Sequence, residues 1–296
     1  MKRNLILPFN GDRKLIDYYK TIEKRIYRIY FAINPSYVPL ARSNKFTNIE
    51  DILYLLKEFE NSKIKFSLLL NSSKIHCLDE NLLKIINFLY SKGISSVVVT
   101  NLFLVEEIRK HFPSMEINIS VISKINNEKE FLDLNKYNIT ELCVATNNIR
   151  ETEKILQIKN KINYSLSVIV NSFCRSAICS NHDNHYLFNN VVHFEYNLLK
   201  TPFILPSMIK KYEDIFDYFK IQGKEYDTNK LIMIIDSYVN YKELNDKFYG
   251  IQSPCVINNI KTCNFNVDDF IIHTNNCGFN CKECDYCDTI ERKYYE

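Results

Sequence analysis

Short apolar runs alternate with amphipathic stretches over the first 241 residues. Apolar, β-branched-rich runs of four to seven residues occupy 4–9, 28–33, 64–70, 95–100, 116–122, 141–145, 164–170 and 218–221. Runs of this length, bounded by polar or turn-forming residues, predict buried strands. Between and after them, apolar residues recur at helical spacing over 12–24, 48–60, 79–92, 104–111, 127–136, 148–159, 206–216 and 227–241. Asp12 and Asp227 stand at N-cap positions, and Gly93 follows the third helix where a left-handed C′ residue is favoured. Eight strand–helix pairs in about 240 residues is the arithmetic of a (β/α)8 TIM-like barrel. An open doubly wound sheet is the rival that periodicity alone does not exclude, and the count of eight favours the barrel.

Six of the predicted strands end at or near an asparagine: Asn10, Asn34, Asn71, Asn101, Asn147 and Asn171. In a barrel such ends share the catalytic face. Two readings stand side by side, a polar ring around a ligand and ordinary turn chemistry, for which asparagine is equally suited. After residue 241 the alternation stops and cysteine density rises. The expected organisation is therefore a barrel over 1–241 and an appended cysteine-rich segment over 242–296.

Composition narrows the setting. At 46% hydrophobic residues the chain can bury a full core. A formal charge of +3, with no run of five basic residues, gives no electrostatic case for nucleic acid or membrane binding. No run approaches the 18 or so apolar residues a spanning helix needs. The basic N-terminus is followed by too short an apolar run for a signal peptide. A cytoplasmic location is expected, and ten cysteines in a reducing compartment favour metal binding or catalysis over disulfides.

Cys143 lies inside the sixth strand and reads as a small buried hydrophobe. Cys77 also reads as a packing residue. Eight cysteines remain: Cys174, Cys179, Cys255, Cys263, Cys277, Cys281, Cys284 and Cys287. The last four fall within eleven residues, denser than the two separated pairs usual for structural zinc. Such a string suits an iron–sulfur cluster. The CxxxCxxC spacing of Cys277, Cys281 and Cys284 also occurs in radical-SAM enzymes, but there it follows the first barrel strand, so the match is coincidental. The simplest partition gives one [4Fe–4S] cluster to the tail run. A second would join Cys174 and Cys179, just past the seventh strand, to Cys255 and Cys263. Zinc is the alternative metal, and a thiol or disulfide role is the third. His182 and His185 belong to ordinary loop composition as readily as to a metal or proton relay.

Several stretches together resemble the collagenase-like peptidase family, peptidase family U32. LPFNGDRKLIDYY (7–19) resembles its opening strand, glycine turn and helix, and ARSNKFTNIEDI (41–52) its second βα loop. The stretch from Lys92 to Ser120 is similar to its fourth and fifth βα units. SFCRSAICS (172–180) resembles the signature in which the seventh strand delivers two cysteines, and FKIQGKEYDTNKL (219–231) the eighth strand and the turn after it. There are departures. Asn171 stands where the family carries Gly, and Leu166 where an acidic residue is usual. No cysteine lies between Asn181 and Phe219, and Gln222 and Lys224 replace Glu and Arg.

The resemblance extends to iron–sulfur proteins of oxygen-independent ubiquinone and RNA hydroxylation. It implies cluster-dependent redox modification of a small-molecule, RNA or peptide substrate at the barrel mouth, served by an electron donor or partner protein. Asn171, Arg175 and Lys224 would position that substrate. The second expectation is a peptidase or peptide-processing protein, although neither HExxH nor GxSxG is present. A zinc-stapled scaffold without catalysis is the third.

Overall fold

Eight parallel strands close on themselves in the computed structural model, which describes residues 2–39, 46–72, 74–172, 198–243, 247–248, 260–261, 266–281 and 283–295. They are β1 (Leu5–Pro8), β2 (Ile26–Phe31), β3 (Lys65–Leu70), β4 (Ser96–Val99), β5 (Glu116–Ile119), β6 (Glu141–Cys143), β7 (Ser165–Ile169) and β8 (Tyr218–Lys220). Each strand pairs with its sequence neighbours, and Leu5 opposite Phe219 closes the ring. The helices that carry the chain back are α1 (Arg13–Thr21), α2 (Ile49–Glu58), α3 (Glu80–Ser91), α4 (Leu102–His111), α5 (Glu128–Asp133), α6 (Thr152–Lys159), α7 (Ile209–Tyr212) and α8 (Thr228–Val239). The expected (β/α)8 architecture is thus the one found, and the open sheet is excluded by ring closure.

The local signals explain the elements. Asp12 accepts a hydrogen bond from the Lys14 amide and Asp227 from the Lys230 amide, so both cap as read. Asn127 and Glu130 form a reciprocal capping box at α5. Gly93, at φ +108°, lets the chain turn out of α3. Alternate strand residues such as Leu5, Leu7, Ile29, Phe31, Leu68 and Leu70 join the helix faces in one continuous core outside the barrel. Their neighbours Ile6, Tyr30, Ala32, Leu69 and Val98 form a separate cluster inside it. Burying each large apolar side chain contributes on the order of 1.5–3 kcal/mol.

Several boundaries differ from the periodicity, three of them by a change of structure type. The strand expected to run to residue 122 stops at Ile119, because the Ser120 hydroxyl accepts the Ile122 amide and starts a tight turn, Val121–Ser123. The helix expected over 148–159 begins at Thr152, preceded by a 3₁₀ turn, Thr146–Arg150. The stretch 206–216 is a 3₁₀ turn, Pro206–Met208, followed by the short α7, which keeps Met208, Ile209 and Tyr212 on the buried side.

Beyond α8 come a two-residue antiparallel pair, β9 (Lys247–Phe248) and β10 (Ile260–Lys261), then α9 (Val267–Thr274) and α10 (Tyr286–Tyr295). The helical tail rests on the barrel wall. Phe270 stacks on Phe203 with ring centroids 5.9 Å apart. Tyr212 donates to the Asn275 side chain at 3.2 Å, and Lys200 pairs with Asp288 at 2.7 Å. Among the described residues, no helix is long and apolar enough to cross a membrane.

Candidate functional site at the barrel mouth

The barrel interior changes character from its N-terminal floor to its C-terminal mouth. At the floor Tyr27 stacks on Tyr218 at 3.7 Å, beside a Lys65–Glu116 ion pair. One layer up, Arg28 and Glu141 form a fully buried pair at 2.8 Å, and Ser167 donates to the other Glu141 oxygen at 2.6 Å. Burial opposes the Arg28 charge, but Glu141 and Tyr27 outweigh it and hold the guanidinium pKa above its ordinary value. Higher still lie Lys220 and Cys143. The Lys220 ammonium sits over the Tyr30 ring, 4.5 Å from its centroid, and the residue is only 9% exposed. Tyr30 is fixed by its hydroxyl, which donates to the Ile221 carbonyl at 2.9 Å. Cys143 is buried beside Val121, Ile122 and Ile169, as read. Burial pushes its thiol pKa up, against the pull of the Lys220 charge.

The structure sorts the six strand-end asparagines. Asn10 accepts the Asp12 amide, and Asn34 accepts the Ser36 amide and hydroxyl. Asn101 caps α4 by accepting the Leu104 amide. Asn171, fully buried, donates to the Gln222 carbonyl at 3.0 Å and accepts the Gln222 amide at 2.8 Å. These four act as turn locks, caps and strand-end latches, so the uniform polar ring is not formed. Asn71 donates to Ser120 across the β3–β5 rim at 3.5 Å. Asn147 and its neighbour Asn148 differ from all of these. The buried Asn147 Oδ1 has no hydrogen-bond partner, and neither polar atom of the fully buried Asn148 has one.

Of the residues expected to position a substrate, Asn171 is thus a latch between the ends of β7 and β8, and Lys224 is half-buried in the turn after β8. That turn needs Gly223. Its φ is +131°, and a Cβ there would lie 2.7 Å from the Tyr226 ring. Arg175, His182, His185, Cys174, Cys179, Cys255 and Cys263 lie outside the described residues. Lys220 and Asn148 went unnoticed in the sequence. Luminal alternation on β8 marks Lys220 as inward-facing, whereas nothing in the sequence sets Asn148 apart from other asparagines. Cys77 is exposed rather than packed, because the loop after β3 carries it to the surface.

Two of the four tail thiols, Cys277 and Cys287, lie against the barrel around Arg150. This buried arginine ends the 3₁₀ turn after β6. Its Nη1 lies 3.8 Å from the Cys277 sulfur. Nη2 donates to the carbonyls of Thr201, at 3.1 Å, and Leu199. Its guanidinium also covers the Phe279 ring at 4.4 Å. The Cys287 thiol is buried against the Leu199 carbonyl at 3.5 Å, and burial pushes its pKa up to about 11. Cys281 and Cys277 act on it electrostatically, whereas Cys284 faces the His273 ring at 3.6 Å. Among the described residues, no three His, Cys, Asp or Glu side chains stand where they could hold a metal ion. The described tail has the donor chemistry of a metal–thiolate centre but not its closed geometry.

The sequence model of peptidase family U32 matches residues 16–195, more than half of the chain. An uncharacterized protease of Methanocaldococcus jannaschii is 21% identical over 98% of this chain and 95% of its own length. A solved U32 peptidase superposes with a TM-score of 0.54 at 10% identity, covering 75% of this chain and 94% of that one. A mutant tryptophan synthase α-subunit from Pyrococcus furiosus gives a TM-score of 0.52 at 10% identity, covering 81% and 97%. At those identities the two structures show a shared barrel and nothing of substrate.

Proposed function

The chain belongs to peptidase family U32, and on that premise we propose that it binds a peptide at the C-terminal mouth of the barrel and processes it there. One observation carries the reading: Lys220, a buried ammonium held on the Tyr30 ring at the mouth end of β8. A fixed cation on a low-dielectric wall is a strong partner for a carboxylate. In this reading Lys220, backed by the Tyr30 ring, holds the carboxylate of the peptide, and Lys224 in the following turn adds positive charge. The protease name of the archaeal relative agrees with a peptide substrate. Cys143 makes a poor nucleophile in this reading, since it is buried and burial pushes its thiol pKa up.

A defined mixture of peptides, incubated with the protein and followed by mass spectrometry, tests this. New termini are expected with the native protein, and Lys220→Met should weaken peptide binding at least about tenfold while leaving the circular dichroism spectrum intact. Peptides left uncut and unbound at millimolar concentration would end the reading.

A second reading keeps the redox expectation, and the approach of Cys277 and Cys281 to the Cys287 thiol, short of a closed metal site among the described residues, is the observation that favours it. A bound [4Fe–4S] cluster would supply single-electron transfer to a small-molecule, RNA or peptide substrate, fed by a donor protein. Arg150 would offset thiolate charge and hold the tail in place. Iron and acid-labile sulfide assays after anaerobic purification decide it. Stoichiometric zinc without sulfide would instead assign the tail to bracing alone.

A further inference from the structure

Among the described residues, three side chains have every polar atom buried and without a hydrogen-bond partner: Arg25, Thr100 and Asn148. Arg25 lies away from the mouth and rests its guanidinium on the Tyr241 ring at 4.6 Å. Thr100 and Asn148 have no such substitute. Both follow barrel strands at the mouth end, Thr100 after β4 and Asn148 in the turn after β6, and Asn147 adds a third unpartnered oxygen. Buried polar groups are nearly always paired with protein, water or ligand, so this stretch of rim has hydrogen-bonding capacity that the fold itself does not use. The other strand-end asparagines show the contrast, since the fold consumes their amides in caps and latches.

We propose that Thr100, Asn147 and Asn148 form a strip that recognises the backbone of an extended peptide lying across the ends of β4 to β6. The proposal rests on the peptide reading above and specifies it. Asn148 offers one donor group and one acceptor side by side, the complement of a peptide unit, and Thr100 supplies a hydroxyl that can do either. All three are uncharged, which suits a neutral backbone rather than phosphates. Strands about 4.8 Å apart put the β4 and β6 ends roughly 10 Å from each other, the span of about three extended residues. Thr100 and Asn147 are half-buried residues and Asn148 is fully buried, so the peptide must displace the cover of their polar atoms to pair with them. Backbone recognition of this kind is indifferent to side-chain identity.

The test uses the full-length protein, a fluorescein-labelled hexapeptide with a free carboxylate, and the same peptide with its third amide N-methylated. Asn148→Leu replaces the amide by an apolar group of similar shape. It should leave the melting temperature unchanged or raised and weaken hexapeptide binding about tenfold or more. N-methylation should cost the native protein a similar factor and cost Asn148→Leu little further. Should Asn148→Leu fail to fold, Thr100→Val, which deletes only the hydroxyl, should still show a several-fold loss. Unchanged affinity in the folded variant overturns the strip while the peptide reading survives. A native protein that binds no hexapeptide overturns both. Asn148-dependent binding of a hexaribonucleotide in place of the peptide overturns the assignment of the ligand.

Discussion

The floor and the mouth of this barrel both bury polar side chains and differ in how far those side chains are paired. At the floor, charged side chains meet one another, although Arg28 Nε, Glu116 Oε2 and Asn118 Oδ1 keep no hydrogen-bond partner. Arg28 meets Glu141, Lys65 meets Glu116, and Ser167 meets Glu141. At the mouth, over β4 to β6, the polar side chains of Thr100 and Asn148 meet nothing in the described structure. The floor uses its polarity to hold the ring closed. The mouth keeps polarity in reserve, with a loss of stability that a protein tolerates where it must bind something. Polar residues in a barrel interior therefore say little by their identity, and much by whether their hydrogen bonds are already taken.

The largest expected break of this contrast is at the floor. Glu141→Ala leaves Arg28 buried without its counter-charge and strips Ser167 of its acceptor, and should cost about 3–5 kcal/mol in urea unfolding. Replacing both partners, Arg28→Met with Glu141→Leu, should recover most of that. A loss under about 1 kcal/mol for the single variant would show that the floor pair is not structural. A smaller effect sharpens the contrast within the mouth. Asn171→Ala orphans the amide and carbonyl of Gln222 and should cost about 2–3 kcal/mol with peptide affinity unchanged, the reverse of the pattern expected for Asn148→Leu.

The smallest effect is in the tail. With its pKa near 11, the Cys287 thiol should react with iodoacetamide at pH 9 tens of times more slowly than an exposed thiol, read by mass spectrometry of the labelled peptides. Stability should depend on pH in the matching direction. The folded pKa lies above the ordinary value of 9.0, so the contribution of Cys287 is complete below pH 9 and is lost as pH rises toward 11. Labelling of Cys287 as fast as Cys281 would mean that the tail is not seated on the wall.

Much of the fold is legible in the sequence because burial has a period. The stretches 64–70 and 164–170 read as apolar runs broken only by Lys65, Ser67, Ser165 and Ser167, and helices such as α1 bury Leu15, Ile16 and Tyr19 on one stripe. Thiol spacing likewise announces the tail. What the sequence hides is pairing at a distance. Arg28 and Glu141 are 113 residues apart, and nothing local to either names the other. Arg150 reads as one more charge in a helical stretch until Cys277, Leu199 and Thr201 are seen around it. Asn101, Asn148 and Asn171 are the same residue in similar positions. Only their hydrogen-bond partners separate a cap, an unsatisfied amide and a latch.

The five-residue turn Thr146–Arg150 ties two of these regions together. Asn148 sits at its centre and Arg150, the tail's bolt, at its end, so a single short lever reaches both the rim and the cysteine-bearing wall. A change that unseats the tail, such as Arg150→Ala, is therefore expected to disturb the turn that carries Asn148 as well.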